Sequence, residues 1–297
     1  MSVRSSTSGW AFAAFPLAVI VVFTALPTVA GVALSFFEWT GGNRPNFIGI
    51  ENYRAAILHD PQLIHSLRNT LIFGVATVPI TVILAFVLAV ALKAEWFVGK
   101  TTVRTIIFLP FVISIVAIGF VWRWVLDPHS GLLNMGLESI AADRMFADWP
   151  VPWLGDSPWA LGTMCFVHVW RNLGFCVVLY LAALSRVPRS LYDAAGVDGA
   201  GSWQATWRIA WPAVRPMTLF VVITSSIWSL QVFDLVWVMT GGAEQPWTDV
   251  LNTHLYREFA ANRLGYAATI GVLVLIITAV ITVAQLRWLR GSTEAAS

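Results

Sequence analysis

The chain has 297 residues, of which 58% are hydrophobic and only 11% charged. A soluble domain of this length carries about 25% charge, so there is too little polar side chain here to clothe a water-soluble globule, and lipid is the indicated solvent. A net charge of +2 without a basic run excludes a nucleic-acid binder, and the sixteen tryptophans suit a chain that meets membrane–water boundaries.

Taken in chain order, six stretches satisfy the requirement of about 20 mostly apolar residues for a membrane span. They are Ala11–Phe36, Thr70–Leu92, Thr105–Leu126, Trp159–Leu184, Met217–Met239 and Ala267–Leu289. The first is too long for the apolar core of a secretory signal and is interrupted by Pro16 and Pro27, so an uncleaved helix is expected. Prolines, including Pro79 and Pro110 in the next two spans, are tolerable where neighbouring helices re-satisfy the freed carbonyls. The expected fold is an all-α integral membrane protein of one transmembrane domain spanning residues 1–297.

Orientation follows the basic residues. With both termini inside, the cytoplasmic parts hold Arg4, Lys93, Lys100, Arg104, Arg186, Arg189, Arg208, Arg215, Arg287 and Arg290. The opposite side holds Arg44, Arg54, Arg68, Arg144, Arg257 and Arg263, a bias in the direction of the positive-inside rule. The acidic loop 127–157, with Asp127, Glu138, Asp143, Asp148 and Asp156 against one arginine, then lies outside.

Two cysteines, Cys165 and Cys176, fall in span four. Eleven residues along a helix is roughly 16 Å, too far for a disulfide within it, so both read as small buried apolar side chains. The five histidines, His59, His65, His129, His168 and His254, show no metal-ligand spacing. The segment Ala94–Thr101 fits a loose phosphate-loop pattern, but it follows a membrane helix and carries Trp96, Phe97 and Val98, so a basic turn suffices.

The loop Val187–Pro216 behaves unlike a connector. Pro188 and Ser190 signal a helix start, with Ser190 as N-cap and a short helix over 191–197. Gly199 and Gly201 break it. Ser202 then caps a second, amphipathic helix carrying Trp203, Trp207 and Ala210, which Pro212 stops. The first helix offers Ala194, Ala195 and Gly196, small residues that let another surface approach. Docking of a cytoplasmic partner and simple anchoring at the interface both fit.

Polar groups inside spans are costly and point to function. Span four carries His168, Arg171 and Asn172, and span five carries Thr224, Ser225, Ser226, Ser229, Gln231 and Asp234. If span five is one helix, Trp228, Gln231 and Asp234 share a face. An aromatic plane beside amide, imidazole and carboxylate groups suits a sugar. The alternative is that these groups satisfy one another between helices, with Arg171 and Asp234 as an ion pair and the hydroxyls bonding back to their own helix.

The loop also resembles the Glu-Ala-Ala motif of ABC import permeases, which reads Glu-Ala-Ala, three residues, Gly, nine residues, Ile, one residue, Leu-Pro. Asp193-Ala194-Ala195, Gly199, Ile209 and Trp211-Pro212 occupy those positions, with Asp for Glu and Trp for Leu as the departures. FIGIENYRAAI at 47–57, SLRNTLIF at 66–73, RTIIFLPFVIS at 104–114, WRWVLDPHSGLLN at 122–134, QVFDLVWVMTGGA at 231–243 and LYREFAANRLGYAATI at 255–270 are similar to segments of the maltose-type carbohydrate permeases. The chain is identified as resembling the first of the two dissimilar permeases in such systems.

That resemblance implies a set of partners: a second permease in a heterodimer, two ATPase subunits and an extracytoplasmic solute-binding protein. It implies no cofactor in this chain, since ATP and Mg are held by the ATPases, and no enzyme activity of its own. It places coupling at Asp193, Ala194, Ala195, Gly199, Ile209 and Pro212, and a sugar-like solute at Phe111, His168, Arg171, Asn172, Thr224, Trp228 and Gln231. The location implied is a bacterial or archaeal cytoplasmic membrane. A standalone proton-coupled transporter using Asp234, or an intramembrane enzyme using His168, Arg171 and Asp234, are the competing classes; neither needs a docking helix.

Overall fold

The computed structural model describes residues 6–42, 44–94, 98–140, 149–155, 157–242 and 244–294. Arg4, Asp143, Arg144, Asp148, Asp156, Ala243 and the Glu95–Phe97 part of the phosphate-loop-like segment lie outside them.

The chain is almost wholly helical. Helix α1 (Ser6–Ile20) runs through a π turn into α2 (Leu26–Leu34); a two-residue hairpin, β1 (Phe37–Glu38) and β2 (Asn46–Phe47), precedes α3 (Glu51–Leu58) and the long α4 (Pro61–Lys93). Then come α5 (Lys100–Val112), α6 (Ile115–Val125), α7 (Leu132–Ser139) and α8 (Trp159–Leu184). The loop that follows holds α9 (Arg189–Val197), α10 (Ser202–Ala205), a π turn and α11 (Trp211–Ala213). The last helices are α12 (Arg215–Leu230), α13 (Asp234–Thr240), α14 (Leu251–Ala260) and α15 (Leu264–Glu294).

Among the described residues, four helical stretches are long and apolar enough to cross a membrane unbroken: Ala13–Leu34, α4, α8 and Leu264–Trp288. Two bent pairs bring the total to six if each counts as one span. The expected third span is broken: Ile113 and Ser114 are extended, and α5 and α6 meet at 99°. The β-branched Val112 and Ile113 are indifferent helix formers, and Ser114 serves as the boundary from which α6 restarts. The expected fifth span is also broken. Its helix stops at Leu230, Phe233 leaves the helical region, and α13 restarts with Asp234 in its first turn, where a carboxylate suits the positive end of the helix. The second bent pair joins Trp203–Ala213 to α12 at 71°, so the helix entering this span begins in the loop.

Two π turns share one cause. Proline has no N–H to give the carbonyl four residues back, and the ladder widens by one residue instead. Val21–Ala25 sits just before Pro27, and Thr206–Ala210 just before Pro212.

The chain divides into two compact units. One comprises the chain up to Leu63 with His254–Ile276. In it Asn52 Nδ2 donates to the Ser35 and Phe37 carbonyls at 2.9 and 3.0 Å, pinning α3 to the hairpin, whose Trp39 carbonyl accepts from Leu264 N at 2.9 Å. Asp60 is its electrostatic knot: its carboxylate accepts from Tyr266 Oη at 2.5 Å and the Leu63 amide at 3.0 Å, and lies 2.9 Å from His254 Nε2. Burial pushes the Asp60 carboxyl up, but the Tyr266, His254 and Leu63 hydrogen bonds outweigh it and leave it below its ordinary value. Residues 14–30 are exposed throughout and apolar but for Thr24 and Thr28, the latter bonding back to the Thr24 carbonyl at 2.7 Å, the surface of a helix whose solvent is hydrocarbon.

The second unit holds Ile64–Thr253 and the chain from Ile277. Two apolar cores are strung along α4 and α8. One gathers Phe86, Leu92, Tyr180, Leu184, Val214 and Val221; the other gathers Phe73, Met164, Val167, Leu235 and Met239. Gly174 lets α8 meet the α5 backbone, since a Cβ there would fall 2.1 Å from the Ile107 carbonyl oxygen. Hydroxyls and amides link the helices: Thr77 to Ser229 at 2.8 Å, Tyr180 to Thr218 at 3.1 Å and Gln285 to Ser226 at 2.7 Å.

Candidate functional site

The loop between α8 and α12 presents one short helix. Its N-cap is Pro188, not Ser190 as expected, because proline's fixed φ and absent N–H suit a position where no donor is needed. Ser190 falls inside the first turn.

At the other end Gly199 has φ +77°, with Ala200 N bonded to the Ala195 carbonyl at 2.8 Å and Gly199 N to the Gly196 carbonyl at 3.1 Å. These two bonds form a Schellman closure with Gly199 in the left-handed position. A Cβ on Gly199 would meet open space, so the glycine is required by backbone angle rather than by a close neighbour.

Outward from this helix Asp193, Ala194, Gly196 and Val197 are exposed, Val197 to 89%. Inward, Tyr192 and Ala195 are half-buried, and burial pushes the Tyr192 phenol above its ordinary value. Lys93, the last residue of α4, donates to the Leu184 carbonyl at the end of α8 at 2.6 Å and lies 5.1 Å from the centre of the Tyr192 ring. One ammonium thus ties span two, span four and the loop helix together.

The second helix of the loop does not stop at Pro212. Pro212 sits in the first turn of α11, and the chain bends at Val214 into α12. Ile209 is half-buried there, and Trp207 and Trp211 pack on Phe86 of α4 with ring centres 6.0 and 4.9 Å away.

Within the membrane helices, Phe111, Arg171, Asn172 and Trp228 come together. Phe111 stacks on Phe175 at 4.7 Å and 22°, and Trp228 lies 5.9 Å from Phe111 and 5.4 Å from Phe175. The Arg171 guanidinium sits 5.5 Å over the Phe111 ring and donates to Asn172 Oδ1 at 3.1 Å. Three aromatic faces, a cation and an amide converge from α5, α8 and α12. Phe175 was absent from the sequence reading; it lies three and four residues beyond Asn172 and Arg171, the spacing of one helix face.

Other expected members fall elsewhere. His168 is 5% exposed and packs edge-on against Phe73 of α4 at 5.0 Å, outside the aromatic cluster. Thr224 lies half-buried one turn before Trp228, whereas Gln231 is exposed beyond the end of α12. The shared face of Trp228, Gln231 and Asp234 does not form, because the helix breaks between Gln231 and Asp234. Arg171 senses the Asp234 carboxylate electrostatically, yet among the described residues the two make no ion pair within 4.0 Å. Ser225, Ser226 and Ser229 are buried on α12, where Ser226 and Ser229 bond to neighbouring helices.

Comparison with known proteins meets this geometry. The chain is 34% identical over 283 residues to the lactose transport system permease protein LacF of Rhizobium radiobacter, covering 94% of this chain and 92% of that one. It is 31% identical over 283 residues to the diacetylchitobiose uptake system permease protein NgcF of Streptomyces coelicolor, covering 91% and 78%. The crystal structure of a bacterial ABC transporter that imports the acidic polysaccharide alginate contains a chain of the same fold, with TM-score 0.79, 24% identity and 96% of each chain covered. The family described as binding-protein-dependent transport system inner membrane component matches residues 67–290. A multi-pass helical chain whose fourth and fifth spans are joined by a glycine-closed loop helix, and which matches that family over three-quarters of its length, belongs to the binding-protein-dependent transport system inner membrane components, the permease subunits of ABC importers.

Proposed function

We propose that this permease carries a sugar-like solute from an extracytoplasmic binding protein to the cytoplasm by alternating access, paired with a second, dissimilar permease and driven by two ATPase subunits. The observation that supports the coupling role is the geometry of α9: small residues and Asp193 face outward, and Gly199 closes the helix so that the chain turns away at once. The ATPase meets Asp193 and Ala194; Ala195, half-buried behind them, and Gly199, Ile209 and Pro212 hold the coupling loop in shape. ATP and Mg bind the ATPases and not this chain, and both termini lie on the ATPase side.

The solute class follows from the cluster and the company the chain keeps. Sugar rings stack on aromatic faces, and Phe111, Phe175 and Trp228 offer three beside the hydrogen-bonding groups of Arg171 and Asn172. LacF and NgcF are named for saccharides. Thr224 extends this surface by one turn, and His168 and Gln231 act at its margins.

Nucleotide biases a two-state rigid-body switch. Reversing a 1:99 population takes about 5.5 kcal/mol of differential affinity, which must cross the contacts between permeases and ATPases, α9 among them. Proteoliposomes containing the assembled importer, its binding protein and a labelled sugar panel test the proposal. Uptake that needs internal ATP is expected; proton-driven uptake by this chain alone overturns it.

A further inference from the structure

The cation of the aromatic cluster is held in one orientation by its own helix. Asn172 is 3% exposed, and both ends of its amide are engaged: Nδ2 donates to the His168 carbonyl at 2.9 Å, and Oδ1 accepts from Arg171 Nη1 at 3.1 Å. The guanidinium lies 5.5 Å over the Phe111 ring. A fork fixed at one corner and on one face loses little freedom when a ligand arrives.

That fork lacks an acceptor for its other edge. Nη1 bonds Asn172, Nε is buried with no hydrogen-bond partner, and no acid lies within 4.0 Å of Arg171 among the described residues. Nε–H and Nη2–H are the parallel pair that meets the two oxygens of a carboxylate. A guanidinium in the middle of a span with that edge unfilled is costly, and Arg171 keeps part of its surface open. Asp234, the acid whose charge it feels, stands in the first turn of α13 beyond ion-pair distance.

Given the importer reading above, on which this rests, we propose that the solute carries a carboxylate, as a uronic acid does, and that Arg171 takes it side-on through Nε and Nη2 while the sugar ring stacks on the aromatic faces. The nearby Asp234 charge favours a singly charged carboxylate over a phosphate monoester, which brings about two negative charges. Asn172 acts through Arg171, as the positioning residue that aims the fork.

The test uses the assembled importer in detergent, without its binding protein, and saturation-transfer NMR of sugars that differ at one carbon: glucuronate against glucose, and galacturonate against galactose. The uronate of at least one pair should half-saturate at a concentration lower by about tenfold or more, since it gains a charge-assisted pair of hydrogen bonds that the neutral sugar cannot make. The preference should vanish in Arg171→Gln and survive in part in Arg171→Lys, which keeps the charge without the fork. Phe175→Ala should weaken uronate and neutral sugar alike and leave their ratio unchanged.

Equal half-saturation within both pairs, no saturable signal from either uronate, or a preference that persists in Arg171→Gln overturns the proposal. Tighter binding of glucose 6-phosphate than of glucuronate would make a phosphate the ligand and overturn the carboxylate assignment. The readout involves no transport, so its failure leaves ATP-driven uptake, and with it the importer reading, untouched.

Discussion

Gly199 shows how one backbone angle serves a function. Its φ of +77° costs a side-chain-bearing residue about 1–2 kcal/mol, while asparagine tolerates the left-handed region better than a β-branched residue. Gly199→Val should therefore abolish uptake at normal membrane abundance, and Gly199→Asn should retain a substantial fraction of it. Equal activity of the two, measured as initial uptake rate per copy, would remove the backbone argument.

The aromatic cluster makes a second residue-scale expectation. Losing one stacking face removes a contact worth about 0.5–1.5 kcal/mol. Phe175→Ala should thus raise the half-saturating solute concentration of uptake up to about tenfold with little change in maximal rate. Gln231→Ala should have a smaller effect, because Gln231 lies past the helix end. Phe175 could have been found from its spacing to Arg171, but only the approach of α5 and α12 reveals that two more rings meet it.

At the scale of elements, Lys93 and Asp60 are the joints. Lys93→Met removes a charge-assisted cap of α8 and a cation–π contact, together about 2 kcal/mol. Thermal unfolding in detergent should shift down accordingly, and stimulation of the ATPase by the binding protein should weaken, since the loop helix loses its tie to span two. Asp60 joins the turn before α4 to α14 and α15.

Because the Asp60 carboxyl is held below its ordinary value of 3.8, its contribution is fully present above that pH and is lost as pH falls through the lower folded-state value. Asp60→Asn should lower the melting temperature at pH 7, and the gap from the unaltered chain should close in melts carried below about pH 4. A gap that persists there would assign the loss to shape rather than charge. The broken third and fifth spans also belong to this scale. Hydropathy saw two continuous apolar runs, and a window that averages over twenty residues does not register a break of two or three residues.

For the whole molecule the decisive question is the source of energy. In proteoliposomes holding the complete importer, a protonophore should leave uptake unchanged while ATP is present, and omission of the binding protein should reduce it to background. Sensitivity to the protonophore would instead favour Asp234 as a proton carrier. Two units, one held by the Asp60 and Asn52 networks and the other by the α4–α8 cores, share the long helices α4 and α15 as continuous chain.

Composition and pattern alone determined that this chain lives in lipid, how many apolar stretches it has, and that the loop between the fourth and fifth carries a short small-residue helix. Those properties follow from transfer free energy and from local backbone chemistry, which neighbouring residues settle among themselves. Tertiary structure decided where apolar runs bend, which polar residues on α12 bind neighbouring helices and which face Phe111, and that His168 packs on Phe73 instead of joining the rings. Each of these depends on which helix stands opposite, and side chains far apart in sequence compete for the same partner only once the helices have packed.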